Sequence, residues 1–402
     1  MHWQPYTFVD CYWKLQNSFS KNSRVLEIGS HIVNYSIRNV IDSLHYFGID
    51  LSEGKNVDGV CDASDFALPA AFNVAVSCEC FEHNPKFMET FQNMVRSVDE
   101  NGVVIFTAAS FERPEHGTHE TTPEQSPGTI SVGINYYKNV FEENFNLADL
   151  QAAFSDFAFF NNKISNDIYF LGLKSPGHKW ILQELNTCNE LICRLSQSML
   201  NTTLNPHVFS ILDSAPLWFW NDVNLEAVTD HLLSHGQELS TEELKKIIFL
   251  LDNVSISSNY TPKLLTNRKK CLWLLGDFIS LNILNNKCEK YYGAEDFYFS
   301  FWAINQQYGC TKANEFLLKN QTLFEGNTWP IHNLITILNR PEYELCSDVQ
   351  TLLESRLRAV DFQQQVYFHL LRVLLKYKNK YALSELQKIR SQEIDTPGWF
   401  NF

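Results

Sequence analysis

The pattern of apolar residues changes near residue 176, and this change constrains the fold more than any other feature of the sequence. Before it, short runs rich in β-branched and aromatic residues alternate with stretches whose apolar residues recur at helical spacing. After Ser175-Pro176-Gly177 the strand-like runs almost disappear. Alternating strands and helices predict a mostly parallel sheet covered by helices, whereas helices in series predict a bundle or a solenoid.

We therefore predict two domains. Residues 1–176 should form an α/β, Rossmann-like doubly wound and mostly parallel sheet, and residues 177–402 a mostly α-helical domain of eight to eleven helices. The predicted strands are Arg24–Gly29, Tyr46–Asp50, Val57–Cys61, Phe72–Cys78, Val103–Thr107 and, as edge strands, Phe157–Asn161 and Ile168–Leu173. The predicted helical stretches of the first domain are residues 2–21, Tyr35–Leu44, Pro85–Val98 and Phe141–Phe154. In the second domain, Ser240-Thr241-Glu242-Glu243 and Thr261-Pro262 have the pattern of helix starts.

The composition disfavours several classes of protein. Hydrophobic residues make up 45% of the 402 residues, which is enough for sizeable cores, and the formal net charge is −14. This acidic balance argues against a nucleic acid or an anionic membrane as the main partner. The ten cysteines are irregularly spaced, and no run of about 18 apolar residues occurs. The first residues lack the order of a signal peptide, so we expect a reduced, cytoplasmic protein.

The segment Val25–Ser30 gives the first indication of chemistry. A predicted buried strand carries Glu27 near its end and is followed by Gly29, and open α/β sheets bind ligands at the carboxyl ends of their strands. Gly29 lets a ligand approach the backbone closely. The next strand ends in Asp50, about 20 residues later, where a carboxylate is placed to accept both hydroxyls of an adenosine ribose. Two neighbouring carboxylates suit a cationic ligand, and an ordinary α/β turn with a surface aspartate is the alternative.

Five segments in order resemble the class I S-adenosylmethionine-dependent methyltransferases of the small-molecule, type-11-like group, over about residues 20–145. They are Val25–Ser30, similar to the Glu-x-Gly first motif; Phe47–Leu51, the ribose-binding strand end; Val57–Phe66, whose Asp-Ala lies along the adenine; Phe72–His83, the fourth strand with its Glu-His ending; and Asn101–Thr107, the turn and fifth strand.

This resemblance implies S-adenosyl-L-methionine as the cofactor. The cofactor-binding residues that it implies are Glu27, Gly29, Ser30, Asp50, Leu51, Asp62, Ala63, Ser77 and Glu79. The sequence departs from the family after Gly29, where one or two further glycines usually follow but Ser30–Asn34 stands here. Fewer glycines leave less room beside the backbone for the methionine part of the cofactor. A subset of the family has Asn-x-Ser after the first glycine, as in Asn34-Tyr35-Ser36.

The segment Ser110–Asn135 has no regular period and contains three prolines and three glycines. Long irregular segments inside a domain are usually functional, and this one follows the fifth strand, so we predict a lid over the substrate. A hydroxyl acceptor needs a general base, for which His116 is the first candidate and His83 the second. A loop or capping role without catalysis is the alternative for each histidine. The substrate-binding residues that the resemblance implies are His119, Tyr136 and Tyr137.

The predicted activity is methyl transfer to an oxygen or nitrogen of a glycan, a nucleotide sugar or a small metabolite. The helical domain would recruit a protein partner or the substrate. The alternative is a non-catalytic binding or scaffold protein, in which the altered loop after Gly29 does not hold the cofactor. A nicotinamide-dependent oxidoreductase is disfavoured, because the Gly-x-Gly-x-x-Gly pattern that cradles a pyrophosphate is absent.

Two motifs contain residue types that bind metals, but we predict no metal site. Cys78-x-Cys80-x-x-His83 lies on a central apolar strand, where buried thiols that act as small apolar side chains are expected. His116-x-x-His119-Glu120 lacks the His-Glu-x-x-His order of helical zinc sites.

Overall fold

The computed structural model of this chain describes residues 1–66, 68–200, 203–254, 261–287, 293–323, 329–340, 342–360, 364–391, 394, 396–397 and 400. The chain divides into two compact units, Met1–His231 and Leu232–Phe402. Each unit buries an apolar core of its own.

Unit 1 (Met1–His231) is built on a seven-stranded sheet. Its strands are β1 (Arg24–Ile28), β2 (His45–Asp50), β3 (Gly59–Val60), β4 (Phe72–Cys78), β5 (Val98–Ala109), β6 (Asp156–Asn162) and β7 (Asp167–Leu173). Their order is β3-β2-β1-β4-β5-β7-β6; β7 is antiparallel to β5 and β6, and the other pairs are parallel. The predicted Rossmann-like, mostly parallel sheet is confirmed. The chain order reverses between β1 and β4, the kind of position where open α/β sheets bind ligands.

Two details of the sheet differ from the prediction. Strand β7 is buried at every residue because it lies between β5 and β6, so of the two predicted edge strands only β6 lies at an edge of the sheet. Strand β5 begins earlier than predicted, and its register against β4 jumps from Val98 opposite Phe72 to Val103 opposite Val74. The predicted turn at Glu100-Asn101-Gly102 is therefore an irregularity within β5.

Four helices belong to the first part of unit 1: α1 (Trp3–Leu15), α2 (Phe87–Ser97), α3 (Pro127–Ser131) and α4 (Leu147–Ala153). The helix predicted over Tyr35–Leu44 is only a 3₁₀ turn, Ile37–Asn39, whose start is capped by the Ser36 hydroxyl, which accepts the Arg38 N–H at 3.2 Å. Helix α4 begins later than predicted, where the side chain of Asn146 caps it.

Unit 1 extends past the change of sequence pattern. Helices α5 (Lys179–Met199), α6 (His207–Ser214) and α7 (Asp222–Ser234) follow that change, and α5 packs against α1 and β6. The α5 side chain of Asn189 donates to the Asn161 carbonyl of β6 at 3.1 Å. The sequence pattern therefore marks a change of secondary structure, and the division of the structure falls at His231 instead. Independent folding of 1–176 and 177–402 stays a prediction.

Unit 2 (Leu232–Phe402) is helical. Its helices within the described ranges are α8 (Thr241–Val254), α9 (Pro262–Leu275), α10 (Phe278–Lys287), α11 (Ala294–Lys319), α12 (Trp329–Leu338), α13 (Ser347–Ala359), α14 (Gln365–Lys376) and α15 (Lys380–Ser391). Both predicted helix starts are confirmed: Ser240 and Glu243 cap each other, and the Thr261 hydroxyl accepts the Leu264 N–H at 3.2 Å.

The described part of the chain after Gly177 contains eleven α-helices, as predicted. In unit 2, helices that follow one another pack in pairs, α8 with α9, α10 with α11 and α13 with α14. Whether this unit is best classed as a bundle or a solenoid stays a prediction. Among the described residues, no helix combines the length and the apolar character that crossing a membrane requires.

Candidate active site

A cavity of about 400 Å³ opens at the carboxyl ends of β1, β2 and β4, within the usual size range of small-molecule pockets. Eight of the nine predicted cofactor-binding residues line it, namely Glu27, Gly29, Ser30, Asp50, Leu51, Asp62, Ala63 and Glu79. The ninth, Ser77, is completely buried within β4 and is not part of the wall. We refer to this space as the first cavity.

The loop after β1 turns at Gly29, whose φ angle of +76° is in the left-handed region. A Cβ atom at Gly29 would come within 2.8 Å of the Cβ of Cys80, so the loop and the β4 end are in close contact. The N–H groups of Gly29 and Ser30 both donate to the Ile49 carbonyl, at 3.0 and 3.1 Å. The Ser30 hydroxyl is buried at the cavity wall without a hydrogen-bond partner among the described residues.

Two carboxylates line the first cavity at the ends of neighbouring strands. Asp50 accepts the His31 N–H at 3.1 Å and the Leu51 N–H at 2.7 Å, and each carboxylate oxygen can accept a further hydrogen bond. Glu27 is buried, and this burial raises its pKa to about 8, although the nearby Tyr46 hydroxyl favours the charged form. The two carboxylates therefore differ in environment: one is fixed by backbone amides, the other is desolvated.

Further side chains of the wall come from β3, α2 and the end of β4. The carboxylate of Asp62 accepts the Ser64 N–H at 2.8 Å and forms an ion pair with Lys86 at 3.1 Å. Cys78 and Cys80 are partly exposed and line the first cavity. Burial nevertheless raises the pKa of both thiols, in line with the expectation that they act as small apolar side chains.

The segment Ser110–Asn135 covers the first cavity with residues 125–129 and Ile134. It is more ordered than its sequence suggested, because it contains a 3₁₀ turn, Pro123–Gln125, and the short helix α3. Prolines at the start of both elements favour this geometry. We refer to this segment as the lid.

A second cavity of about 370 Å³ adjoins the first and shares Glu79 and His83 with it. The residues that line it include His2, Val33, Asn34, Arg113, His116, Gln125 and Ser165. The ring centroid of His83 lies 5.0 Å from the ring centroid of His116 and 5.6 Å from that of Tyr137. The structure thus brings both catalytic candidates and one substrate-binding candidate, Tyr137, together, although Tyr137 itself lines neither cavity.

The other two substrate-binding candidates lie elsewhere. His119 is exposed, its N–H donates to the Asn135 side chain at 2.9 Å, and it lines neither cavity. Tyr136 also lies outside both cavities. The prediction of substrate contact for these two residues therefore has no support from the described geometry.

The two catalytic candidates have different surroundings. His83 is buried, which lowers its pKa to about 3, and its Nδ1 atom has no hydrogen-bond partner among the described residues. His116 is half-buried, which lowers its pKa, and its Nδ1 atom lies 3.1 Å from the Pro114 carbonyl. Gly117 has a φ angle of +69°, and a Cβ atom there would lie 2.7 Å from His83 Cε1. The space beside Gly117 is therefore occupied by the ring of His83.

A buried charge network beside the histidines was missed from the sequence. The Arg113 guanidinium donates to Glu79 at 2.8 Å and to Asp167 at 2.6 Å, and His2 contacts the Asp167 carboxylate at 2.9 Å. Burial alone would raise the pKa of Glu79, but His2 and Arg113 outweigh it and hold that pKa at about 2. The antiparallel pairing of Ala109 with Asp167 creates this cluster, and no local motif announces it.

Glu82 is the other acidic residue of this region. Its side chain is completely buried, and neither carboxylate oxygen has a hydrogen-bond partner of good geometry among the described residues. Backbone groups of Glu82 and Ala109 lie near enough to favour its charged form slightly. Burial, followed by the charge of Glu79, nevertheless raises the pKa of Glu82 to about 8.

No family model matches this chain, and no curated protein sequence matches it. Solved structures do. The putative methyltransferase complexed with the Trm112 methyltransferase activator in Haloferax volcanii shares 10% identity at a TM-score of 0.30, over 44% of this chain and 91% of that chain. A Burkholderia thailandensis 1,6-didemethyltoxoflavin-N1-methyltransferase, solved with S-adenosylhomocysteine, shares 14% sequence identity at a TM-score of 0.29. The alignment covers 42% of this chain and 78% of that chain.

A Thermotoga maritima S-adenosylmethionine-dependent methyltransferase, described as a possible histamine N-methyltransferase, also shares 14% identity at a TM-score of 0.29. The alignment covers 42% of this chain and 89% of that chain. What this chain does depends on its own site residues.

Proposed function

We propose that unit 1 binds S-adenosyl-L-methionine and transfers its methyl group to an acceptor. The observation that carries this proposal is the convergence of eight predicted cofactor-binding residues on one cavity. These residues come from four separate segments of the sequence, so their convergence is independent of any single motif. The cavity also lies at the reversal of strand order, where open α/β sheets bind ligands.

The chemistry of the cavity wall fits this cofactor. The Asp50 carboxylate would accept the ribose hydroxyls with its remaining lone pairs, and Asp62 and Ala63 would lie along the adenine. The hydroxyl of Ser30 and one oxygen of Glu27 are buried without partners and offer acceptors to a cationic ligand. Gly29 keeps the backbone accessible where a Cβ atom would meet Cys80.

When bound, the cofactor supplies a methyl group already activated by a sulfonium centre, so positioning and exclusion of water are the main tasks of the protein. The lid residues 125–129 would exclude water above the first cavity. His83 and His116 face the second cavity, where an acceptor oxygen or nitrogen would bind. Because the Pro114 carbonyl can only accept, His116 donates from Nδ1 and keeps a lone pair on Nε2 for a proton.

The acceptor class that we propose is a glycan, a nucleotide sugar or a small metabolite, methylated on oxygen or nitrogen. The net charge of −14 argues against nucleic acid and anionic membranes as partners. The helical unit 2 would recruit a protein partner or the substrate, and we place the protein in the cytoplasm.

A second candidate function is a binding or scaffold role without catalysis. Two observations favour it: the loop after Gly29 has no further glycine, and the lid residue Gly128 packs against the Asp50 carboxylate. In that case the space for the cofactor would be filled by the protein itself.

Calorimetric titration of the full chain with S-adenosylhomocysteine separates the two candidates. Methyl transfer requires a single site with sub-millimolar affinity. A folded protein that shows no binding would contradict it and favour the scaffold. Transfer of tritium from methyl-labelled S-adenosylmethionine to a panel of glycans, nucleotide sugars and small amines would then identify the acceptor.

A further inference from the structure

Glu82, His83 and His116 converge at the junction between β4 and the lid. One carboxylate oxygen of Glu82 and one ring nitrogen of each histidine lie within 4.8 Å of one another. The first two residues follow β4 directly, and the third comes from the lid, 33 positions later in the sequence. No sequence motif links them, so the grouping is a product of the fold.

Two of these three side chains are buried and lack partners. Glu82 has no exposed surface, His83 is 4% exposed, and both carboxylate oxygens and His83 Nδ1 lack a hydrogen-bond partner among the described residues. Unpartnered buried polar groups are rare because each one costs the free energy of its lost hydration. A cation bound by this cluster would give these buried polar groups a partner.

The third side chain is already oriented for such a partner. His116 donates from Nδ1 to the Pro114 carbonyl at 3.1 Å, which leaves the lone pair on Nε2. Histidines that bind metals usually donate their other ring N–H to a carbonyl or carboxylate in this way. The rings of His83 and His116 meet edge to face, at 88°.

We propose that Glu82, His83 and His116 bind a divalent transition-metal ion of the zinc class. Two imidazoles and one carboxylate are a ligand set of zinc sites that keep an open position. Ligands at roughly 2.1 Å from the ion lie about 3.4 Å apart in a tetrahedron, which is within the 4.8 Å limit on the separations of the three donor atoms. The second cavity, lined by both histidines, supplies the open fourth position.

Neighbouring charges permit a cation at this point. Arg113 is a cationic side chain that acts on all three residues, and its guanidinium is already paired with the carboxylates of Glu79 and Asp167. The ion would add two positive charges against the one negative charge of Glu82, and the open cavity admits water or an anionic ligand. This site involves no cofactor and so does not depend on methyl transfer, but it uses the same Nε2 lone pair of His116, so this nitrogen cannot accept a proton while the ion is bound.

The test uses the full chain, stripped of metal with a chelator and titrated with Zn²⁺ and separately with Co²⁺, without cofactor. We expect one Zn²⁺ per chain, with affinity at least about 100-fold weaker in Glu82→Gln and in His116→Asn, since each removes a direct ligand. His119→Asn and Glu124→Gln, on exposed lid residues outside the site, are the matched controls and should bind as the unaltered chain does.

Co²⁺ identifies the ligands. Nitrogen and oxygen ligands give weak visible bands, whereas thiolates add an intense near-ultraviolet band, so that band would assign the ion to cysteines and overturn the proposal. The proposal would also be overturned if the unaltered chain binds no Zn²⁺ or binds Mg²⁺ more tightly than Zn²⁺. The same holds if the two variants bind Zn²⁺ as tightly as the controls. Thermal unfolding shows whether each variant is folded. If Glu82→Gln does not fold, His116→Asn, on the partly exposed lid, still tests the proposal.

Discussion

Gly128 of the lid lies directly against the carboxylate of Asp50: a Cβ atom built on Gly128 would come within 2.1 Å of Asp50 Oδ1. The covering segment and the candidate ribose-binding residue are therefore in van der Waals contact. Only glycine fits this position without displacing either the helix α3 or the carboxylate. A ligand hydroxyl that reaches Asp50 must share this narrow space with the lid.

Asp50→Asn should weaken S-adenosylhomocysteine binding by roughly 1.5–3 kcal/mol, because it removes a charged acceptor of two ligand hydroxyls. Calorimetric titration measures this change. The matched control is Asp65→Asn, since Asp65 is exposed and lies outside the first cavity. Equal affinities in both variants would show that Asp50 does not hold the ribose.

Gly117→Ala should destabilise the protein by more than Gly133→Ala. Both glycines have a positive φ angle, +69° and +76°, so the backbone strain of an added Cβ is similar. Only the Cβ at Gly117 would meet the ring of His83, at 2.7 Å, whereas nothing lies within 4 Å of the Cβ at Gly133. We expect an extra loss of about 1–3 kcal/mol in the free energy of unfolding. Urea denaturation measures it, and equal losses would mean that His83 moves aside freely.

His116→Ala should lower the single-turnover rate of methyl transfer by about 10²–10⁴ while S-adenosylhomocysteine affinity stays nearly unchanged. His116 faces the second cavity beside His83 and Tyr137, and does not line the first. His119→Ala, on the exposed part of the same lid, is the control. A loss of cofactor affinity would instead assign His116 to the donor pocket, and no change in either quantity would leave His83 as the next residue to substitute.

The stability of the protein should fall between pH 4.5 and about 8 through Glu27. Burial raises the folded-state pKa of this carboxyl from 4.5 to about 8. The unfolded chain therefore ionises first, and the stabilisation present below pH 4.5 is lost as the pH rises through the folded value. Glu27→Gln stays neutral throughout, so the difference in unfolding free energy between the two proteins should shrink or reverse by a few kcal/mol over this window. Urea denaturation at several pH values measures it; a constant difference would show that Glu27 is solvated.

A chain that ends at His231 should be soluble and bind S-adenosylhomocysteine. The sequence pattern predicts that residues 1–176 suffice, but α5 buries Ile181, Leu185 and Cys188 as part of unit 1, packing on α1 and β6. We expect the shorter chain to unfold more easily because it exposes this apolar surface. Titration and thermal unfolding of both lengths measure the difference. Equal behaviour would place the boundary near Gly177.

Local patterns predicted much of the fold. The apolar run of β4 has the same bounds, Phe72–Cys78, in prediction and structure, because a central strand is apolar along its length. The prediction failed where side chains act locally or tertiary contacts decide. The helix predicted over Tyr35–Leu44 is a 3₁₀ turn of three residues that the Ser36 side chain caps. The position of β7 inside the sheet depends on its antiparallel pairing with β5, which no local pattern encodes.

The candidate site likewise contains residues that the sequence predicted and residues that only the folded structure brings together. Glu27, Gly29 and Asp50 were predictable because their positions at strand ends follow from sequence order alone. His119 and Tyr136 line neither cavity, and the hydrogen bond from the His119 N–H to the Asn135 side chain, 16 positions away, is a contact that sequence order does not predict. The contact of Arg113 with Asp167 joins residues 54 positions apart and needed the folded sheet.

Arg113 fixes the first residues of the lid to the sheet through Asp167, whereas residues 125–129 close the first cavity from further along the chain. The lid therefore has one anchored end and one covering end. We expect ligand exchange to occur by displacement of the covering end alone, with a hinge after Gly117, so that His116 keeps its place through each turnover. Product could then leave without disassembling the groups that act on the next acceptor, and the rate of release would depend on contacts of α3 such as that of Gly128 with Asp50.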